Sequence, residues 1–237
     1  MFSQRFLEKD RRTQERWFRM KANKKIGRHI KAFYMWRLHR KLEKEFDEKN
    51  KVISTTIENT VTAYKTVNAD LYPATKDLFN IGLFFLLAER DIQALKADAF
   101  SHPNEAKRNI ALRALLLTIY ELDIGKVAGR KMHFIYESTG MSDESKDMLV
   151  SSLKKFNKAR RVVKDLVSET RHNTIAHREP DALRQYEIIS ELKVATFSKG
   201  LKEFYIAADQ LLKSLVNAIV EVQTMKTMLH QATHMAK

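Results

Sequence analysis

The segment from Arg171 to His177 combines a permanent cation, two imidazoles and a carboxamide within seven positions. Arginine keeps its charge and can hold two phosphate oxygens at once. Histidine has an unperturbed pKa of about 6.5, which suits proton transfer near neutrality. Cleavage of RNA without a metal needs a group that takes the proton from the ribose 2′-hydroxyl, a group that protonates the leaving oxygen, and a cation beside the phosphorus. The segment is therefore a candidate site for phosphate chemistry.

Helix geometry separates the two most important side chains of this segment. At about 100° per residue, Asn173 and His177 share a face, whereas Arg171 and His177 lie about 120° apart on a straight helix. Either the helix is irregular before Pro180, or the same segment of a second subunit completes the site across a two-fold axis. The alternative interpretation is that Arg171 and His172 are solvated residues at a helix end and that His177 interacts with the helix dipole.

Six basic residues with no acidic residue among them precede the segment on the same predicted helix. Lys154, Lys158 and Arg161 share one helical face, so a phosphate backbone could follow this helix toward Arg171. The alternative interpretation of this run is a helix face that contacts only solvent. The candidate nucleic-acid contacts are Lys154, Lys155, Lys158, Arg160, Arg161, Lys164 and, after the segment, Arg178.

The arginine, the polar residue after it and a histidine after five intervening positions resemble the Arg-x(4 to 6)-His motif of HEPN-domain proteins. The resemblance implies a helical bundle, usually dimeric, in which two motifs meet in a cleft. Many members are metal-independent ribonucleases of toxin-antitoxin, abortive-infection or CRISPR defence systems, and some keep the fold without nuclease activity. By resemblance, Arg171 contacts the phosphate and His177 is the catalytic histidine, supported by His172 and Asn173.

The resemblance also sets expectations for partners and regulation. RNA is the expected substrate, a second copy of the chain the expected subunit partner, and a regulatory or antitoxin protein a further possible partner. HEPN toxins that are modified by nucleotidyltransferase antitoxins carry a tyrosine two residues after the histidine, and Glu179 stands at that position. An AMP-regulated toxin of that type is therefore disfavoured. The alternative function is a non-catalytic HEPN-like protein that binds nucleic acid or acts as an adaptor.

Composition favours an all-α protein and excludes several other classes of site. The 237 residues include 44% apolar residues but only 6 Gly and 3 Pro, which are few for a chain rich in hairpins. The absence of cysteine excludes disulfides, thiol nucleophiles and thiolate metal sites. No glycine-rich nucleotide loop is present, and His230 and His234 form a chance pair at metal-binding spacing, so no metal or cofactor is expected. No apolar run is long enough to span a bilayer and no secretory leader is recognisable, which predicts a cytoplasmic protein.

Helical periodicity and punctuation predict a bundle of four or five helices over 51–237, preceded by a basic helical extension over 1–50. Apolar residues at helical spacing are expected to form the core. In the helix over 105–136 they are Leu112, Leu115, Leu116, Ile119 and Leu122. On the inner face of the helix that leads to Arg171 they include Leu149, Leu153, Phe156, Val163 and Leu166, and in the C-terminal helix they are Leu201, Phe204, Ala208, Leu211, Leu215, Val222 and Leu229. The predicted helices cover about 4–22, 27–50, 51–70, 74–100, 105–136, 142–178, 181–195 and the remaining C-terminal residues.

The N-terminal extension carries most of the net charge. Residues 1–41 hold 14 Lys and Arg but 3 Asp and Glu, out of a net charge of +14 for the whole chain. Aromatic residues are interleaved with these cations: Trp17, Phe18, Phe33, Tyr34 and Trp36. Such a composition permits binding to nucleic acid, but it also permits docking on a protein partner or on an anionic membrane.

Overall fold

The chain is helical throughout the part that the structure describes. The computed structural model describes residues 11–170, 180–192 and 194–235. Nine helices and no strand occur in these ranges, which confirms the predicted all-α fold. The helices are α1 (Arg11–Thr66), α2 (Pro73–Ser101), α3 (Glu105–Glu121), α4 (Gly125–Ala128), α5 (Lys131–Ser138), α6 (Asp143–Thr170), α7 (Ala182–Glu191), α8 (Val194–Glu221) and α9 (Met225–Met235).

Proline and short polar side chains place several helix boundaries where the sequence predicts them. Pro73 begins α2, where its missing N–H would have no intrahelical acceptor in any case. The side chain of Asn104 caps α3 by accepting a hydrogen bond from the backbone N–H of Lys107 at 3.1 Å. Asp181 caps α7 in the same way, accepting from the backbone N–H of Leu183 at 2.9 Å.

The described helices outnumber the predicted bundle of four or five. The helix predicted from Glu105 to about Tyr136 is divided into α3, α4 and α5. α3 ends at Glu121, with Leu122 as its C-cap, and Gly129, with a φ of 42°, is the C-cap of α4. Because glycine adopts this left-handed conformation without the steric cost of a Cβ atom, the chain can turn there.

At the N-terminal end, segments that the sequence predicts as separate helices form one continuous helix. The segments predicted over 27–50 and 51–70 belong to one helix, α1, which continues through Gly27 and ends at Thr66. Lys44 lies 3.8 Å from Glu48, and Lys41 lies 3.9 Å from Glu45. Such pairs, one helical turn apart, stabilise the helix just before residue 50. Across residue 50 itself, the hydroxyl of Ser54 donates a hydrogen bond to Asn50 Oδ1 at 3.4 Å.

The core lies where α2, α6 and α8 meet and extends along α3. Phe156 of α6 is fully buried, and its ring centroid lies 5.5 Å from that of Phe85 on α2 and 5.4 Å from that of Phe204 on α8. Most of the apolar positions predicted for the core are buried. On α3, its cap and α8 these are Leu112, Leu115, Leu116, Ile119, Leu122, Leu201, Phe204, Ala208, Leu211, Leu215 and, just after α8, Val222.

Two predicted core positions are wrong. Leu166 is 45% exposed, and Val167 is buried in its place. Consecutive helical residues differ by about 100° in direction, so the face that buries Val163 and Val167 turns Leu166 outward. Leu229 is 59% exposed because it belongs to a separate helix, α9, and does not continue the inner face of α8.

A carboxyl group is buried beside the apolar core. Glu89 is 4% exposed, and its Oε1 accepts a hydrogen bond from Gln93 Nε2 at 2.6 Å. Its Oε2 has no hydrogen-bond partner among the described residues. Loss of hydration raises the pKa of Glu89, and the hydrogen bond from Gln93 only partly opposes this effect. The folded protein therefore holds the proton of Glu89 more tightly than a hydrated carboxyl group would.

The N-terminal part of α1 extends beyond the helices that pack on the rest of it. His39 Nδ1 lies 3.3 Å from Ser101 Oγ on α2, and Glu45 lies 3.9 Å from Lys96. In contrast, every side chain described from 24 to 34 is exposed. We call residues 24–34 the N-terminal arm.

Candidate nucleic-acid interface

α6 is the helix that carries the predicted basic run. Asp143 and Glu144 lie in its first turn, where negative charge interacts favourably with the helix dipole. Its inner face is apolar and buried through Leu149, Phe156 and Val163, and it packs on α8 and α3. Burial of that face orients the opposite face, which holds the cations, toward solvent.

Five of the six cations are accessible and uncompensated. Lys154, Lys155, Lys158 and Arg161 are exposed, and Lys164 is half-buried. None of the five has a carboxylate within 4.0 Å among the described residues. Elsewhere lysines do have such partners, as in the 2.6 Å contact between Lys131 and Asp77. The face of α6 thus presents positive charge that forms no ion pair with a described acidic side chain.

Arg160 differs from its neighbours in the run. It is 9% exposed, and its Nη2 donates a hydrogen bond to the backbone oxygen of Tyr120 at 2.9 Å. The same nitrogen lies 3.4 Å from Asp123 Oδ2. These contacts connect α6 to the end of α3 and the turn before α4. Arg160 therefore has a structural role between α6 and the end of α3, whereas the other five cations form the accessible positive surface of α6.

A groove of about 480 Å³ runs beside the basic face. Lys164 stands at this groove, with its ammonium 5.2 Å from the centre of the Tyr120 ring, a favourable cation–π distance. Such a groove can receive a phosphate group against Arg161 and Lys164. Its lining residues are Asp123, Gly125, Asn157, Arg160, Arg161, Lys164 and Asp165.

Sequence reasoning missed the polar residues of this groove other than its cations. Asp123 lies 37 positions before Arg160 in the sequence and belongs to a turn that was predicted as part of a helix. Asn157 and Asp165 lie on α6 itself. Their spacing from the cations was the available signal, because Asn157 lies seven residues before Lys164, Asp165 lies four residues after Arg161, and residues at these spacings share a helical face.

The candidate catalytic residues lie outside the described residues. α6 is described as far as Thr170, directly before the motif, and the description resumes at Pro180. The predicted site therefore stays a prediction, whereas the helix that leads to it is described. The residues concerned are Arg171, His172, Asn173, His177 and Arg178.

A second basic surface lies on α1. The rings of Phe33 and Trp36 are stacked, with centroids 5.9 Å apart and planes inclined by 29°. The guanidinium carbon of Arg40 lies 4.8 Å from the centre of the Trp36 ring, and that of Arg37 lies 6.0 Å from the Phe33 ring. The side chains of Trp17 and Phe18 fall outside the described part.

Over 11–170, 180–192 and 194–235, no three His, Asp or Glu side chains are grouped so that they could hold a metal ion. None of the helices in the described ranges has an apolar stretch long enough to cross a bilayer.

Comparison of the chain with protein-family models, with curated proteins and with solved structures finds no match.

Proposed function

We propose that this protein is a metal-independent endoribonuclease of HEPN type that acts on RNA as a homodimer. The observation that supports the proposal is the position of the uncompensated cations. They lie on α6, and the chain passes from the last described residue of that helix, Thr170, directly into the segment from Arg171 to His177. Positive charge on such a face attracts a phosphate backbone and raises its local concentration near the segment.

Each group of the segment has a chemical role in this proposal. His177 transfers the proton, as base toward the ribose 2′-hydroxyl or as acid toward the leaving 5′-oxygen. Arg171 binds the scissile phosphate and stabilises the negative charge that develops on it. His172 and Asn173 support these two residues by hydrogen bonding.

The proposed active site contains the segments of two subunits. A straight helix would separate Arg171 from His177 by about 120°, so the arginine of one subunit would meet the histidine of the other. The HEPN-like arrangement of the helices belongs to the same proposal. So does a role as a toxin or abortive-infection effector against phage, with a regulatory or antitoxin protein that holds the nuclease inactive.

Cleavage of RNA in excess EDTA tests the proposal. Wild type should cleave and His177→Ala should not, because the proton-transfer group is lost. His133→Ala is the matched control, since His133 is exposed on α5 and lies 3.5 Å from Glu137. It should cleave like wild type. An RNA-binding protein that cleaves no better as wild type than as His177→Ala would instead support the non-catalytic alternative.

Mixing two inactive variants tests the two-subunit site. Arg171→Ala and His177→Ala are each expected to be inactive. If subunits exchange freely, half of the dimers are mixed and each mixed dimer has one intact arginine–histidine pair. About a quarter of wild-type activity should then return. No recovery in a mixture that demonstrably exchanges subunits would assign both groups to one chain.

A further inference from the structure

α1 carries two apolar faces that point in different directions. Met35, Leu38 and Leu42 are half-buried and face the rest of the protein. A second stripe begins before them at Ile26, Ile30 and Phe33, and all three of these side chains are exposed. At about 100° per residue the two stripes lie roughly 150° apart around the helix axis. The second stripe, which we call the outer stripe, is therefore not an extension of the face that packs on the core. None of the described helices covers it.

The charge around the outer stripe identifies the kind of partner that fits it. Seven Lys and Arg and no Asp or Glu occur from 24 to 41. Lys25, Lys31 and Arg37 are spaced by six residues each, so they lie about 120° apart around the axis. Positive charge thus surrounds the helix on all sides. A partner that neutralises it must be a polyanion that follows the helix closely.

The aromatic residues add a stacking surface to this positive field. Phe33 and Trp36 are exposed and already stacked on each other. Arg37 and Arg40 lie over their rings and bring cations to the same place. Aromatic side chains beside cations are the combination with which proteins bind single strands, because each base offers a flat face and each nucleotide a phosphate.

We propose that the N-terminal arm, together with Trp36, Arg37 and Arg40, is a binding site for single-stranded RNA. Bases stack on Phe33 and Trp36, and phosphates contact the surrounding cations. A flat anionic bilayer would neutralise only the side of the helix that carries the apolar stripe and would leave cations on the opposite side, such as Lys31, without a partner. A second copy of the arm would bring two strongly positive helices together. The site does not depend on RNA cleavage, so it can exist whether or not the segment from Arg171 to His177 is catalytic.

Binding of a fluorescent 2′-O-methyl oligouridine to the full chain tests this inference. This oligonucleotide lacks the 2′-hydroxyl nucleophile, so cleavage does not disturb the measurement. Phe33→Ala combined with Trp36→Ala should weaken binding by about 30-fold or more, because two stacked bases are lost. Alanine favours the helix, so α1 should remain formed. Phe134→Ala, which removes a partly exposed ring from α5, is the matched control and should leave the affinity unchanged.

Three results would overturn the inference. The first is an unchanged oligouridine affinity in the Phe33→Ala, Trp36→Ala protein. The second is a blunt RNA duplex of the same length that binds the wild type as tightly as the single strand does. The third is binding to vesicles of anionic phospholipid that the double variant abolishes while its RNA affinity persists. A preference for single strands that disappears with the two rings, at an unchanged unfolding temperature, would support it.

Discussion

Replacing Lys154 and Lys158 by glutamine tests whether the exposed face of α6 carries an RNA backbone. Both lysines are exposed and have no described carboxylate partner, so the change removes two charges without leaving an acid unpaired. Each phosphate contact to a single strand contributes about 0.7 to the slope of log affinity against log salt concentration. Loss of two contacts should lower that slope by about 1.4. A fourfold rise in salt should then reduce the affinity of the variant roughly sevenfold less than that of wild type.

The assay is a salt titration of the anisotropy of a labelled single-stranded RNA. Lys126→Gln combined with Lys131→Gln is the control of equal charge, because these lysines belong to α4 and α5 and are paired with Glu121 at 3.4 Å and with Asp77 at 2.6 Å. The control should keep the wild-type slope. An unchanged slope in the α6 variant, or an equal decrease in the control, would refute the assignment of this face to RNA.

Three further predictions concern the fold. Phe156→Ala should lower the unfolding free energy by about 3–5 kcal/mol, seen as a drop of roughly 10 °C or more in the thermal midpoint, because it leaves a cavity in the aromatic core; a drop of only a degree or two would contradict this. Glu89→Gln should change how the unfolding free energy depends on pH. Burial raises the pKa of Glu89, so the folded state holds the proton more tightly than the unfolded chain does. The stability of the wild type therefore falls as the pH rises above the ordinary carboxyl pKa. Urea unfolding should therefore show the stability difference moving in favour of wild type on acidification from about pH 7 to about pH 4, and a constant difference would count against it. Gly140→Ala should lower the unfolding free energy by about 1–2 kcal/mol, because φ of Gly140 is 66° and the new Cβ would lie 2.7 Å from the ring of His230. Gly27→Ala is the control, because no atom lies within 4 Å of a Cβ at that position, and it should not destabilise the protein. Equal thermal midpoints for the two variants would disprove the strain at Gly140.

The sequence predicts those parts of the fold that depend on local chemistry. Pro73 and Asn104 act within their own helical turns, so the helix boundaries they mark agree with the structure. The same holds for the buried positions of α3, since a 3.6-residue period needs only neighbouring residues to be detected. The single helix predicted over 105–136 is wrong at Gly129. A glycine inside an apolar pattern can mark either close packing or a turn, and only the backbone conformation distinguishes the two.

The long-range features were not predictable from one sequence. Arg160 has the same local surroundings as Arg161, yet its contacts with Asp123 and Tyr120 bury it against a turn that lies 37 positions away. The orientation of the outer stripe on α1 likewise depends on which face packs on α2, because both faces hold apolar residues. The sequence pattern identifies the six cations of α6 as a group. Tertiary packing then distinguishes Arg160, which is buried and paired, from the other five, which remain accessible.

The most direct test of the central claim is the chemistry of the RNA ends produced in excess EDTA. Attack by the ribose 2′-hydroxyl, with proton transfer by His177, should leave a 2′,3′-cyclic phosphate on one fragment and a 5′-hydroxyl on the other. These ends should appear with wild type and with His133→Ala, but not with His177→Ala. Absence of cleavage by wild type, equal cleavage by His177→Ala, or 5′-phosphate ends that require a divalent metal would contradict the proposed metal-independent ribonuclease.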